Sequence, residues 1–171
     1  GFEYIKTKTT LLDPTDKEWP VGVNLLEIRT PEERHFVIDG FISLMERMLE
    51  DQYGAHGMKE YAGPGFWQQV RMNLSLLMHD PERPATLLDF CAMFQENGYW
   101  KKWLPLANDE PQLKRWVENV LPKMDFTKMS SDNNVSWGGY IGSKFEKFVF
   151  FPPLRNIFAQ ARSTVDFRTI M

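Results

Sequence analysis

The chain has 171 residues, of which 43% are hydrophobic and 25% are charged, a length and balance typical of one globular domain. Its net charge is −3, which argues against nucleic-acid binding over the whole surface because such proteins usually carry a basic excess. A local basic patch stays compatible with this total.

Residues 1–29 predict an extended arm or strand remnant rather than a helix. Short β-compatible stretches lie at Tyr4-Ile5 and at residues 9–12. Proline then interrupts the chain at positions 14 and 20, and it lacks an N–H donor and restricts the residue before it. A helix is therefore not expected before residue 30.

The first predicted helix begins after Thr30, where Pro31 suits the first helical position and Glu33 completes the pattern of a capping box. We expect it to end near Gly54. Four glycines and one proline between residues 54 and 65 then predict a loop. A second amphipathic helix follows and stops at Asp80-Pro81.

Thr86 and Asp89 predict the cap of a third helix, and Gly98 is a natural stop for it. Residues 99–104 favour a short helix before Pro105. Asp109 is the expected cap of the next helix, which Pro122 closes. The predicted buried stripe of that helix is Leu113, Trp116, Val117 and Val120.

The polar, turn-rich residues 125–136 predict a mobile loop. Apolar residues at helical spacing follow from Trp137 to Val149, two prolines end that helix, and a short helix is expected over 154–159. Ser163 and Asp166 form a last expected capping pair. The pattern predicts a compact all-α domain of about six to eight helices over residues 30–171, behind the extended arm 1–29.

The chain shows no pattern for catalysis, phosphate binding or metal binding. Its nearest approach to a phosphate-binding loop, residues 137–144, has serine before lysine and no preceding strand, which favours a loop that enters a helix. His35, His56 and His79 lack the close spacing of metal ligands. Cys91 lies in an apolar stripe, which predicts a buried structural thiol.

Cellular location is indicated only weakly. A single cysteine cannot form an internal disulfide, so a reducing compartment is the simplest interpretation. No apolar run approaches the ~20 residues of a membrane span, and the first residues lack the apolar core of a signal peptide. Direct membrane insertion by this segment is therefore not expected.

A group of basic and aromatic residues is the best candidate for binding a partner or DNA. This basic–aromatic group consists of Tyr99, Trp100, Lys101, Lys102, Trp103, Lys114 and Arg115. Aromatic rings can stack bases while cations pair with phosphates. In the competing interpretation Trp100 and Trp103, three residues apart, belong to the core and the lysines are solvated. Helical aromatic stripes are usually core, which favours that second interpretation.

Two segments carry a resemblance to a known family. The first contains Asp13-Pro-Thr-Asp16, Trp19-Pro20 and Asn24-Leu-Leu-Glu27, and the second contains Leu154-Arg-Asn-Ile157, Ser163-Thr-Val-Asp-Phe-Arg168 and Ile170-Met171. They resemble the entry into and the exit from the helical insertion, called the all-alpha domain, of the coupling-protein ATPases of conjugation and type IV secretion, the TraG/TraD-like DNA translocases. The helices between them match this family in order and character only.

The resemblance implies an arm over residues 1–29 that joins an ATPase domain, followed by the all-alpha domain. In this family the phosphate-binding loop precedes the insertion and the magnesium-binding acidic motif follows it. The resemblance therefore implies no catalytic residue and no cofactor in this chain, with ATP and magnesium belonging to the full-length parent.

The resemblance also implies a location and a set of partners. The parent is a hexamer that would hold this domain on the cytoplasmic side of the inner or plasma membrane, at the entrance of the channel. The implied partners are a relaxase, other relaxosome or effector proteins, and single-stranded or double-stranded DNA.

Two other functions stay open from the residues alone. One is a nucleic-acid-binding helical module that acts through Trp100, Trp103 and residues 114–116. The other is a freestanding helical enzyme of unknown class, for which the sequence shows no coherent catalytic group of residues.

Overall fold

Helices form the regular structure of this protein. The computed structural model describes residues 13, 16, 18, 20–128 and 136–165, and it describes residues 55–61, 105–109 and 137 by their backbone alone. In these ranges the α-helices are α1 Arg34–Tyr61, α2 Pro64–Leu77, α3 Leu87–Gln95, α4 Pro111–Asn119, α5 Trp137–Phe150 and α6 Pro152–Phe158. Short 3-10 helices lie at Pro31–Glu33, Tyr99–Asp109 and Leu121–Lys123.

The prediction of a compact all-α domain with six to eight helices is confirmed, since none of the described residues forms a strand. Within the same part of the chain, no helix combines the length and the apolar character that crossing a membrane requires. The strand remnant expected around residues 4–12 lies outside the described residues. Residues 20–29 contain no helix, and their Leu26 and Ile28 are buried in the core.

Three phenylalanine rings from three helices meet inside the core. Phe41 of α1 lies edge-on to Phe90 of α3, with ring centroids 5.0 Å apart, and stacks on Phe145 of α5 at 5.8 Å. Phe90 and Phe145 also contact each other, at 5.7 Å. All three side chains are almost fully buried. Because aromatic rings bury large apolar areas and prefer such geometries, this contact fixes α1, α3 and α5 relative to one another.

The helical segment begins at Pro31 behind Thr30 and is interrupted at Gly54, as predicted, but two details of the prediction were wrong. The capping box expected at Thr30 does not form, and the Glu33 carboxylate instead accepts the N–H of Arg29 at 2.9 Å. Residues 55–61 are helical rather than part of a loop. Gly54 interrupts the helix with φ +71°, a conformation that glycine adopts without steric cost, and the chain then resumes a helical path.

The cap predicted for α3 is confirmed. Thr86 accepts the N–H of Asp89, and the Asp89 carboxylate accepts the N–H of Thr86 at 2.8 Å. Gly98 follows the helix with φ +80° and starts a 3-10 helix that continues beyond residue 104. This segment is therefore longer than predicted, because Pro105 is tolerated within it.

The second half of the chain follows its predicted order with shifted boundaries. The N-cap of α4 is Glu110 rather than Asp109, and Val120 is 37% exposed because the helix has already ended. α6 begins at Pro152, since proline suits the first positions of a helix. Residues 129–135 of the predicted mobile loop and the expected cap Asp166 lie outside the described residues.

Two glycines allow α5 to pack closely against α3. A Cβ atom at Gly138 would lie 2.2 Å from the carbonyl oxygen of Phe94, and one at Gly142 would lie 2.1 Å from Nε2 of Gln95. The glycine cluster of residues 137–144 thus provides close contact between two helices. Gly138 and Gly142 face the carboxyl end of α3.

Candidate functional site

The described parts of the two segments that carry the family resemblance lie side by side. The N–H of Val23 donates to the carbonyl of Ile157, and the N–H of Thr164 donates to the carbonyl of Gly22, both at 2.9 Å. The N–H of Gly22 donates in turn to Oγ1 of Thr164 at 2.9 Å, across 142 positions of the sequence. We call residues 22–27 and 157–164 the clamp.

Asn24 lies at the centre of the clamp and is 7% exposed. Its side-chain Nδ2 donates to the carbonyls of Ala85 and Ala161 at 2.9 and 2.8 Å, and its Oδ1 accepts the N–H of Leu26 at 2.9 Å. Its own N–H donates to Oγ of Ser163 at 3.0 Å. Burying an amide side chain costs free energy unless its polar atoms are hydrogen-bonded. The position therefore requires a side chain that can both donate and accept, as Asn24 does. The bond to Ala85 also links the clamp to the start of α3, because Ala85 precedes the helix cap Thr86.

Charged groups close the outer side of the clamp. The Glu27 carboxylate accepts the N–H of Ser163 at 2.9 Å and lies 3.7 Å from the guanidinium of Arg162. Arg162 also donates to the carbonyl of Pro81 at 2.9 Å. A Cβ at Gly22 would lie 3.0 Å from the carbonyl oxygen of Arg162, so the two segments of the clamp approach each other closely. Ser163, which the sequence suggested as a helix cap, takes part in the clamp, and the rest of that predicted cap lies outside the described residues.

Asp89 binds two members of the basic–aromatic group, Tyr99 and Lys102. The Tyr99 hydroxyl donates to Asp89 Oδ1, which also lies 3.2 Å from Nζ of Lys102. The Lys102 ammonium donates to the Tyr99 hydroxyl and lies 3.6 Å from the centroid of the Tyr99 ring. These contacts offset the charge of Lys102 within the protein.

The ionisation of Asp89 and Tyr99 reflects these contacts. Burial alone would raise the pKa of Asp89, but hydrogen bonds from Tyr99, Thr86 and Lys102 lower it below its ordinary value. Burial and the hydrogen bond to Asp89 raise the pKa of Tyr99. The carboxylate and the phenol therefore stay in their usual ionisation states near neutral pH.

Trp103 belongs to the core. It is 3% exposed, and its ring is covered by the guanidinium of Arg83 at 4.7 Å and by the ammonium of Lys102 at 5.4 Å from the centroid. Trp100 is partly buried against the core, and Nζ of Lys101 lies 5.9 Å from its ring centroid. A base cannot stack on Trp103 in this arrangement, since its faces are already covered.

Lys114 and Arg115 lie on the exposed face of α4, opposite the buried Leu113, Trp116 and Val117. This helix packs against the 3-10 helix that carries the other members of the group. The structure thus brings Tyr99, Lys102 and Trp103 into contact and places the remaining cations at the surface of neighbouring elements.

Sequence reasoning missed Asp89 and Arg83 as partners of the basic–aromatic group. Asp89 was recognised only as a helix cap, and its second oxygen is what binds Tyr99 and Lys102. Spacing along a single helix could not reveal this contact, because it joins two elements across a turn. A capping carboxylate uses only one of its two oxygens for the cap. The free second oxygen of such a carboxylate was the signal in the sequence that could have pointed to a further partner.

The glycine cluster at the start of α5 has its backbone donors already engaged. The N–H groups of Gly138, Gly139 and Tyr140 donate to Phe126 O, Ser136 Oγ and Ser136 O, at 3.0, 2.9 and 2.9 Å. This is the geometry of a helix cap that enters from a loop. Among the described residues no group of His, Cys, Asp and Glu is arranged to hold a metal ion.

Burial makes Cys91 a poor nucleophile. It raises the pKa of the thiol to about 12, and the thiolate is the reactive form. We therefore expect iodoacetamide to alkylate Cys91 of the folded chain at least about a hundredfold more slowly than that of the chain unfolded in guanidinium, at the same mildly alkaline pH. Mass spectrometry of timed samples measures both rates, and equal rates would contradict the burial.

Comparison of the chain with models of protein families, with curated proteins and with solved structures found no match in any of the three. A function has to be inferred from the residues themselves, above all from the clamp and from the exposed members of the basic–aromatic group.

Proposed function

We propose that this chain is the all-alpha, substrate-recognition domain of a coupling ATPase of conjugation or type IV secretion. The clamp is the observation that carries the proposal. A domain inserted into another domain must receive and return the chain at nearly the same place. The two segments that resemble the entry and the exit of this family's insertion are hydrogen-bonded to each other at Gly22 and Thr164, which is what an insertion needs.

On this proposal the chain alone does not hydrolyse ATP. The phosphate-binding loop, the magnesium-binding acidic motif and most contacts of the hexamer would be supplied by the rest of the parent. The parent would also hold the domain at the cytoplasmic entrance of the channel. The task of this domain would be to recognise a relaxase, another relaxosome protein or an effector before transfer.

The surface proposed for that task is the exposed part of the basic–aromatic group, Lys101, Lys114 and Arg115. These cations are exposed, whereas Lys102 is paired with Asp89. Charged side chains at the rim of an interface steer association and select partners more than they add affinity. A partner with a complementary acidic surface fits this role.

Binding to a relaxosome or effector protein of the same transfer system tests the proposal. We expect the 171-residue chain to bind such a protein in biolayer interferometry, and Lys114→Glu with Arg115→Glu to weaken binding about tenfold or more. The matched control is Lys147→Glu with Arg155→Glu, the same charge change at exposed positions on α5 and α6. Equal effects of the two pairs would reject the surface, and no binding to any cargo would reject the function.

Direct DNA binding is the second candidate, and the same exposed cations favour it. Because Trp103 is buried, affinity would come from phosphate contacts rather than from stacking. Three cations predict that affinity falls about 20- to 40-fold between about 50 and 200 mM salt. Titration of single-stranded and double-stranded DNA measures this slope. Absence of salt-dependent binding, or binding unchanged by the Lys114 and Arg115 reversals, would remove this candidate.

A further inference from the structure

Three polar side chains from three elements meet where α1 begins. Arg34 is the first residue of α1, and its side chain is 9% exposed. Its Nη1 donates to Nδ1 of His79, which follows α2, at 3.0 Å. Its Nη2 is paired with the carboxylate of Glu110, the N-cap of α4. We call these three residues the Arg34 cluster.

The geometry fixes the protonation of His79. A guanidinium has N–H donors and no acceptor, so Nδ1 of His79 must accept and cannot carry a proton. The imidazole is therefore neutral, with its proton on Nε2. Protonation at Nδ1 would remove the acceptor and place a second positive charge 3.0 Å from Arg34 in a partly buried position.

Other charges near His79 act in both directions. Glu110 attracts cations, but it is already paired with Arg34. Asp80, the next residue, directs its Oδ1 to the N–H of Glu82 at 2.9 Å. The carboxyl end of α2 favours a positive charge, but its dipole amounts to only about half an elementary charge. The full charge of Arg34 in direct contact outweighs that dipole.

We infer that the Arg34 cluster is a pH-sensitive latch on the start of α4. At neutral pH, His79 accepts from Arg34, and Arg34 holds Glu110 in place. As the pH falls below about 6.5, where a free imidazole gains its proton, forms in which His79 has separated from Arg34 and taken up a proton gain stability relative to the latched form, and the start of α4 loosens. Because α4 carries Lys114 and Arg115, acidification would also move these exposed cations. The latch does not depend on the proposed function.

Thermal unfolding at two pH values tests the latch. Between about pH 7.5 and about pH 5.5 the ordinary titrating side chains are histidines, because free carboxylates titrate at lower pH. The chain has three histidines, so replacing each one in turn shows how much of the change in Tm it causes. We expect the Tm of the wild type to fall by about 3 °C. His79→Gln should abolish this fall, because the glutamine oxygen still accepts from Arg34 but does not titrate. His35→Gln and His56→Gln should keep it.

A fall in the His79→Gln variant equal to that of the wild type would overturn the latch. If the His79→Gln variant does not fold, a second measurement on the wild type tests the latch. Nitrogen-15 NMR of the wild-type histidines at neutral pH should show His79 as the Nε2–H tautomer, and acidification should then shift the amide signals of residues at the start of α4. Detection of the Nδ1–H tautomer, or an unchanged α4, would equally overturn it.

Discussion

Replacing Asn24 by alanine is expected to lower the free energy of unfolding by about 3 kcal/mol. The substitution leaves the carbonyls of Ala85 and Ala161 and the N–H of Leu26 without their partner in the clamp. Each buried polar group that loses its hydrogen bond costs about 1–3 kcal/mol, and water that enters recovers part of this. Urea unfolding followed by circular dichroism measures the difference.

Two further variants make this test specific to the clamp. Asn119→Ala removes a single hydrogen bond on the exposed face of α4, at 3.0 Å to Arg115 O, and should change stability by no more than about 0.5 kcal/mol. Asn24→Asp can accept from Leu26 but cannot donate to the two carbonyls, so it should be at least as destabilising as alanine at neutral pH. A loss below about 1 kcal/mol for Asn24→Ala would show that the clamp does not hold the two segments together.

Gly138→Ala is expected to destabilise the chain by about 2–3 kcal/mol. The new Cβ would lie 2.2 Å from the carbonyl oxygen of Phe94, so α3 and α5 must separate. Alanine also gains up to about 1 kcal/mol of helix propensity, but the clash with backbone outweighs that gain. Thermal and urea unfolding both report the loss.

Two other glycines provide matched controls. Gly40 is exposed on α1 with no atom within 4 Å of a new Cβ, so Gly40→Ala should stabilise the chain by about 0.5–1 kcal/mol. Gly142→Ala meets only the amide end of the exposed Gln95 side chain, which can move, so its cost should fall below that of Gly138→Ala. The same sign for Gly40 and Gly138 would contradict the close contact of α3 with α5.

Local patterns predicted the parts of the fold that depend on neighbours in sequence. The Thr86–Asp89 cap and the stripe of Leu113, Trp116 and Val117 were correct, because both follow from side chains three or four positions apart. The prediction that Val120 belongs to this buried stripe was wrong, because the helix ends one residue before it. The density of glycine and proline predicts a loop over residues 55–61, but these residues are helical. Only Gly54, with its positive φ, interrupts α1.

The candidate sites depended on contacts between distant elements, which periodicity does not contain. The clamp segments were singled out by resemblance, but their hydrogen bonds join Gly22 to Thr164 and could not be read from either segment alone. The pairing of Lys102 with Asp89 was missed for the same reason. The core position of Trp103 agrees with the interpretation that helical spacing favoured.

On our proposal, the clamp marks where a helical insertion enters and leaves a larger ATPase. Sequencing the open reading frame in which this segment lies tests it most directly. We expect a phosphate-binding loop ending in Gly-Lys-Ser/Thr upstream of residue 1 and an acidic magnesium-binding motif downstream of residue 171. An open reading frame with neither motif would contradict the claim.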